Sequence, residues 1–146
     1  MLHPAIEAVE HYYAAFNQKD WSAIAAMFDL PVTVIVGPRK ILLDKHDTVT
    51  TLYRGLAERM AHEGAVRLAW DRGSFALFQV HHDLAVVKTV LTREAADRTP
   101  IKTWNCSYTV RLVGEDWRFT LITSDDAGNV QAGRLLTTEA RGARSA

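Results

Sequence analysis

The stretch from Ile101 to Val113 constrains the fold most, because it alternates apolar and polar residues over the length of a long β-strand. One set is Trp104, Cys106, Tyr108, Val110 and Leu112; the other is Thr103, Asn105, Ser107, Thr109 and Arg111. Since successive side chains of a strand point to opposite faces, the first set is expected to be buried. The second set then faces water or lines a pocket.

Strand patterns fill nearly the whole region from about Val66 to about Ser124. The predicted strands are 66–70, 75–80, 84–92, 101–113 and 117–124. Turn residues separate them at His81-His82-Asp83 and Gly114-Glu115-Asp116, and the polar stretch 93–100 is predicted to be a connection. Arg72-Gly73-Ser74 predicts a bulge or bend in the sheet.

The N-terminal part of the chain predicts three helices, at about 4–16, 20–29 and 44–63. Pro4 suits the first helical position, and Asp20 and Asp44 are predicted caps of the second and third helices. A β-hairpin is predicted between the last two, from 32–36 and 41–43. The sequence therefore predicts an α+β domain over residues 1–124, with three helices packed on a strongly curved antiparallel sheet around an internal pocket. The tail, 125–146, is predicted to be partly disordered.

Composition excludes several classes of function. Lys+Arg 17 balances Asp+Glu 17 in 146 residues, so no basic field favours nucleic acid or a membrane as a partner. The single cysteine, Cys106, excludes an internal disulfide and a thiolate metal cluster. No export signal or apolar run of spanning length is apparent, so a cytoplasmic location is expected. His81 and His82 are adjacent and would point to opposite faces of a strand, so no metal site is predicted, and no cofactor is expected.

Two segments carry a resemblance to a known family. The run from Tyr12 to Trp21 with Ala26-Met27-Phe28, followed by Val32-Thr33-Val34, resembles the nuclear-transport-factor-2-like (NTF2-like) superfamily, and Gly114–Phe119 resembles its last hairpin. That group includes ketosteroid isomerases, SnoaL-like polyketide cyclases, scytalone dehydratase and limonene epoxide hydrolase. The resemblance implies a cone-shaped sheet that encloses a pocket, and a homodimer that pairs through the outer sheet face. It says little about function, because this scaffold supports many chemistries.

The resemblance also implies positions for catalytic groups. Tyr12 falls where ketosteroid isomerases carry the oxyanion tyrosine, and it is either a weak catalytic candidate or a tyrosine packed at the core edge. The isomerase base is expected near Val36 and the second acid near Asn105–Ser107, but neither place holds a carboxylate. The Asp-Arg-Asp arrangement of epoxide hydrolases is missing from 101–111 as well.

Aromatic residues remain as candidates for a ligand-binding wall, with a plain hydrophobic core as the alternative. The candidate residues are Tyr12, Trp21, Tyr53, Trp70, Trp104 and Tyr108. Lys88 and Lys102 are candidates for binding an anionic group. Two hypotheses stay open: a SnoaL-like domain that binds small apolar or aromatic compounds, with or without lyase, isomerase or hydrolase activity, and a non-catalytic binding or dimerisation module.

Overall fold

A computed structural model describes residues 2–125 of the chain. The helices are α1 (Pro4–Asn17), α2 (Trp21–Ala26) and α3 (His46–His62). The strands are β1 (Phe28–Val36), β2 (Arg39–Leu43), β3 (Arg67–Trp70), β4 (Ala76–His81), β5 (Leu84–Glu94), β6 (Pro100–Val113) and β7 (Asp116–Ser124). Except for Asp125, the predicted disordered tail lies outside the described residues.

The strands form one open sheet in the order β2-β1-β7-β6-β5-β3, with β4 also paired to β5. The predicted α+β architecture, three helices on a curved sheet, is confirmed. One detail is corrected, since the sheet is mixed: β1 and β7 run parallel, whereas the other pairs are antiparallel. Side-chain alternation reports which face of a strand is buried and carries no information on the direction of its neighbour.

The predicted bend at Arg72–Ser74 is confirmed as a single turn of 3₁₀-helix. The two strands beside it, β3 and β4, pair with successive parts of β5: Trp70 lies opposite Leu91, and Ala76 lies opposite Lys88. Asp71 holds the turn by accepting a hydrogen bond from the Gly73 backbone N–H at 2.9 Å. The long strand β5 therefore pairs with both β3 and β4, and the sheet changes direction at the turn between them.

Two of the three predicted helix starts are confirmed. Pro4 is the first residue of α1, and the Asp20 carboxylate caps α2 by accepting from the Ala23 N–H at 3.1 Å. The predicted cap of α3 is wrong, because Lys45 occupies the N-cap position and makes no side-chain cap bond. Asp44 therefore precedes the helix without capping it.

The predicted end of α2 is also wrong. The helix stops at Ala26, and Phe28 already belongs to β1, where it lies beside Phe119 of β7. The Phe119 N–H donates to the Met27 carbonyl at 3.0 Å. Pairing with β7 thus ends α2 about one turn before the end predicted from helical periodicity.

The core lies between the helices and the inner face of the sheet. On β6 the side chains of Trp104, Cys106, Tyr108 and Val110 are buried, while the alternating polar residues are half-buried or exposed. This confirms the alternation predicted for the strand, although Leu112, at its end, is only half-buried. The second buried layer is the helical one and consists of Val9, Tyr12, Tyr13, Phe16, Val49, Tyr53 and Met60.

Candidate functional site

The interior of the fold contains all four tyrosines of the chain, each at most 6% exposed. Tyr12 and Tyr13 come from α1, Tyr53 from α3 and Tyr108 from the inner face of β6. Tyr12 and Tyr13 are consecutive, and both fit inside because the apolar stripe of a buried helix is more than 100° wide. Three separate elements therefore bring phenol groups to one place.

The four hydroxyls form two pairs. The Tyr12 and Tyr53 oxygens lie 2.6 Å apart, and Tyr13 donates to the Tyr108 oxygen at 2.8 Å. Burial raises the pKa of all four phenols above their usual value, because an apolar interior disfavours the phenolate. The hydroxyls are therefore neutral hydrogen-bonding groups near neutral pH.

Aromatic contacts hold these phenols in place. The Tyr12 ring centroid lies 4.9 Å from that of Phe119, 5.6 Å from that of Tyr108 and 5.8 Å from that of Tyr53, in edge-to-face arrangements. Such geometries are the favoured ones for aromatic pairs. The structure thus places two of the other predicted wall residues, Tyr53 and Tyr108, in direct contact with Tyr12.

The other predicted wall residues lie around this cluster. Trp70 is half-buried, and its ring is tilted against that of Tyr13 with centroids 5.2 Å apart, whereas Trp21 packs on Phe16 at 5.4 Å. Trp104 is buried on β6, on the same face as Cys106 and Tyr108. Within residues 2–125, neither Trp21 nor Trp104 makes a ring contact with a phenol: Trp21 contacts Phe16, and Trp104 contacts the Arg93 guanidinium.

The Cys106 thiol lies between Trp104 and Tyr108 along the strand. Its sulfur is a long hydrogen-bond distance, 3.7 Å, from the Ser124 hydroxyl. Burial raises the pKa of the Cys106 thiol, and bonds from Tyr108 and Ser124 oppose this only in part. A neutral thiol is a poor nucleophile, so Cys106 is a packing residue rather than a reactive group.

One carboxylate is buried among residues 2–125, and it belongs to Glu10 of α1. Its Oε2 atom accepts from Trp70 Nε1 and from Arg72 Nε, both at 2.9 Å. Burial alone would raise the pKa of Glu10, but the two bonds outweigh it and leave the pKa below its usual value. Glu10 is therefore ionised and engaged at the sheet bend, which makes it a structural group rather than a free base.

A pair of cations lies at the other end of the inner sheet face. The Arg93 guanidinium lies 4.8 Å above the centre of the Trp104 ring, and its side chain is only 14% exposed. Both Arg93 and Lys102 contact the same Oε2 atom of Glu63, at 3.2 and 3.5 Å. Lys88, by contrast, is exposed and lies opposite Ser107 on the outer face.

Sequence reasoning missed Arg93 because it assigned 93–100 to a polar connection. The available signal was parity: Thr89 and Leu91 point inward on β5, and position 93 continues that series. The strand in fact runs on to Glu94, and Arg93 lies opposite Lys102.

A separate concave pocket of about 450 Å³ lies between α1, α2 and the turn that joins β6 to β7. Its lining residues are Pro4, Glu7, Ala8, His11, Ala23, Ala26, Met27, Glu115, Asp116, Trp117 and Arg118. None of the six predicted wall residues lines it.

Residues 2–125 contain no cluster of metal ligands and no membrane-spanning helix. No group of three or more His, Cys, Asp or Glu side chains in this part of the chain is placed to hold a metal ion. The helices described in this range are too short or too polar for any of them to cross a bilayer. His82 lies in the turn between β4 and β5, as predicted, whereas His81 is the last residue of β4 and pairs with Leu84.

The sequence profile of a family described as NTF2-like protein (DUF6841) matches residues 5–127, which is most of the chain. The chain belongs to this NTF2-like family. No curated protein matches its sequence.

Solved structures of similar shape agree with the NTF2-like assignment. A protein of unknown function with a cystatin-like fold from Nostoc punctiforme superposes with a TM-score of 0.68 at 11% identity, over 84% of this chain and 87% of that one. Aln2 from a Streptomyces species gives 0.67 at 15% identity, over 84% and 88%. A ketosteroid isomerase-like protein from Erwinia carotovora atroseptica gives 0.63 at 17% identity, over 84% and 92%. At these identities the likeness establishes the cone fold of this NTF2-like chain and no activity.

Proposed function

We propose that this chain binds a small apolar or aromatic compound inside the cone, with the Tyr12–Tyr53 pair as its hydrogen-bond donor. The observation that carries the proposal is the 2.6 Å contact between two buried hydroxyls. Two hydroxyls have two protons, and the bond between them uses one. The second proton can be donated to a ligand acceptor such as a carbonyl oxygen, and an unmet donor in an apolar interior is costly.

Binding is favoured over proton abstraction because residues 2–125 place no free base in the interior. The phenols are neutral, and Glu10, the buried carboxylate of residues 2–125, is held by Trp70 and Arg72. Val36 and Asn105 stand where the resemblance places the isomerase acids, and neither has a carboxyl group. A lyase, isomerase or hydrolase would need a positioned base to move a proton near neutral pH.

Prodan, a neutral naphthyl ketone whose emission reports polarity and hydrogen bonding, tests the proposal. Wild-type protein is expected to bind it with a blue-shifted emission. Tyr12→Phe and Tyr53→Phe are each expected to weaken binding by about 2- to 10-fold, the usual effect of losing one neutral hydrogen bond.

Tyr13→Phe is the matched control, because it removes a hydroxyl from the other pair. An affinity that drops equally in all three variants would indicate general loosening of the core. Failure of the wild-type protein to bind prodan or any comparable neutral aromatic ketone would contradict the proposed function.

The second candidate is a dimerisation module, and the outer sheet face supports it. Strand register aligns a row of uncharged residues across that face: Phe78, Val86, Thr109, Leu121, Thr33 and Leu42. Phe78 and Leu42, at its two ends, are 68% and 61% exposed. Six strands spaced about 4.8 Å apart make this row roughly 24 Å long. An uncharged row of this length, with large apolar side chains exposed at both ends, is typical of an interaction site, so we propose that two copies pair through it.

A further inference from the structure

We propose that the ligand of the cone carries an anionic group, such as an aryl carboxylate or sulfonate, which Arg93 and Lys102 bind next to Trp104. This inference rests on the proposed function and narrows the class of ligand. It assigns a binding role to Arg93, which the sequence pattern did not single out.

Strand register places both cations on the interior side of the sheet. Arg93 follows Leu91 by two residues on β5, Lys102 precedes Trp104 by two on β6, and the two cations lie opposite each other. Leu91 and Trp104 are both buried, so the same face continues from the core to this pair. Since strand residues rise about 3.4 Å each, Lys102 and Tyr108 are about 20 Å apart along β6. A ligand that extends from the cations therefore passes Trp104 and Cys106 on its way toward the phenols.

Charge at this position is unbalanced. One carboxylate oxygen, Glu63 Oε2, serves both Arg93 and Lys102, and Arg59 adds a further positive charge close enough to act on Arg93. Arg93 Nε is buried and has no hydrogen-bond partner among the described residues. A second anion would supply the missing acceptor and charge, and guanidinium groups bind carboxylates and sulfonates through paired N–H donors.

Glu63 is the group that an incoming anion would compete with. It follows the last residue of α3, and its side chain is 40% exposed, whereas that of Arg93 is largely buried. The more exposed partner can move aside, while the cation is held by the Trp104 ring. Removing the Glu63 charge should therefore strengthen anion binding, an effect that damage to the fold would not produce.

The test compares anilinonaphthalene sulfonate with N-phenylnaphthylamine, which has the same ring system without the sulfonate. Wild-type protein is expected to bind the sulfonate more tightly than the neutral compound. Arg93→Met keeps an unbranched side chain over Trp104 but removes the charge. It should weaken sulfonate binding by roughly 10- to 100-fold while leaving the affinity for the neutral compound unchanged. Lys102→Met should act in the same direction, and Glu63→Gln should tighten sulfonate binding.

Arg111→Met is the matched control, because it removes the same charge from an exposed arginine that is paired with Asp29. Equal affinity of the wild type for both compounds, or a sulfonate preference that survives Arg93→Met and Lys102→Met, would overturn the inference and leave the proposed function standing. Binding of neither compound would count against the proposed function itself.

Discussion

The side-chain amide of Asn17 makes both hydrogen bonds that a neighbouring strand would make to Leu68. Asn17 Nδ2 donates to the Leu68 carbonyl at 2.9 Å, and the Leu68 N–H donates to Asn17 Oδ1 at 2.8 Å. Leu68 lies on β3, which forms one edge of the sheet. The last residue of α1 thus supplies hydrogen-bond partners to the backbone at the edge of β3 and connects the first helix to the sheet.

Asn17→Ala should lower the free energy of unfolding by about 1–2 kcal/mol, because it leaves a backbone donor and acceptor without their partner. The melting temperature should fall by roughly 3–6 °C. Asn17→Asp should also destabilise near neutral pH, since a carboxylate oxygen would face the Leu68 carbonyl. Gln18→Ala, at the exposed neighbouring position, is the control, and an equal loss there would contradict the role assigned to Asn17.

The Glu10 contacts predict a specific acid sensitivity. The pKa of Glu10 is lower in the folded protein than in the unfolded chain, so its stabilising contribution is present above the unfolded pKa. It is lost as pH falls through the folded value. Glu10→Gln should be less stable than wild type near neutral pH, by about 1–2 kcal/mol for the bonds to Trp70 and Arg72, and the difference should shrink below about pH 4. Urea unfolding at several pH values measures this difference in the free energy of unfolding, with Glu115→Gln as an exposed control. A difference between wild type and Glu10→Gln that does not change with pH would argue against this account.

The buried phenols predict the opposite sensitivity at alkaline pH. Burial raises the pKa of each tyrosine in the folded state, so the unfolded chain loses these protons first. The contribution of the tyrosines to stability should be constant below the unfolded pKa of about 10 and fall as pH rises above it. The tyrosinate absorbance should therefore appear together with the loss of near-ultraviolet circular dichroism. Titration of a folded tyrosine near pH 10 would show that at least one phenol is accessible to water.

The outer sheet row predicts a dimer that depends on Phe78. Sedimentation at micromolar concentration should give twice the 16.3 kDa mass of one chain. Phe78→Lys should give the single-chain mass with unchanged thermal stability of the monomer fold, since an exposed side chain contributes little to folding. Val66→Lys, at an exposed apolar position away from the row, should remain dimeric. A monomeric wild type would refute the second candidate function.

Cys106 predicts slow alkylation in the native state. Its thiol is buried and its pKa is raised, so little thiolate is available to react. Iodoacetamide should modify the native protein far more slowly than the urea-unfolded protein, with glutathione as the reference thiol. Fast native labelling would mean that the interior beside Trp104 is open to small reagents.

The parts of the fold that follow from local rules could be predicted from the sequence. Alternation in β6, the start of α1 at Pro4 and the cap at Asp20 each depend on neighbours within a few residues. The predictions that were wrong concern residues whose structure depends on partners distant in the sequence. Phe28 has helical spacing with Ile24, but it pairs with Phe119, far along the chain, and that contact decides its conformation.

In the candidate site, too, features set by local sequence could be predicted and features set by distant contacts could not. Six aromatic residues could be proposed from their place on predicted elements, yet the pairing of Tyr12 with Tyr53 depends on how α1 and α3 pack. Arg93 was missed because the end of β5 is set by its pairing with β6 rather than by its own polar sequence. Glu10 was missed for a similar reason, since its partners Trp70 and Arg72 lie beside a bend that is distant in sequence.

The parallel pairing of β1 with β7 affects how the protein is made. A ribosome releases β1 early and β7 near the end of the described chain, so one edge of β1 has no permanent partner through most of synthesis. Until then, the β1–β2 hairpin is an apolar, pairing-competent segment on a nascent chain, the kind that chaperones cover and that aggregates when it is left alone. Long-range closure of this type also slows folding, because the loop between the two strands must be ordered before their contacts stabilise it. The strand β1, which emerges before the others, is therefore among the last to gain hydrogen-bond partners along both of its edges.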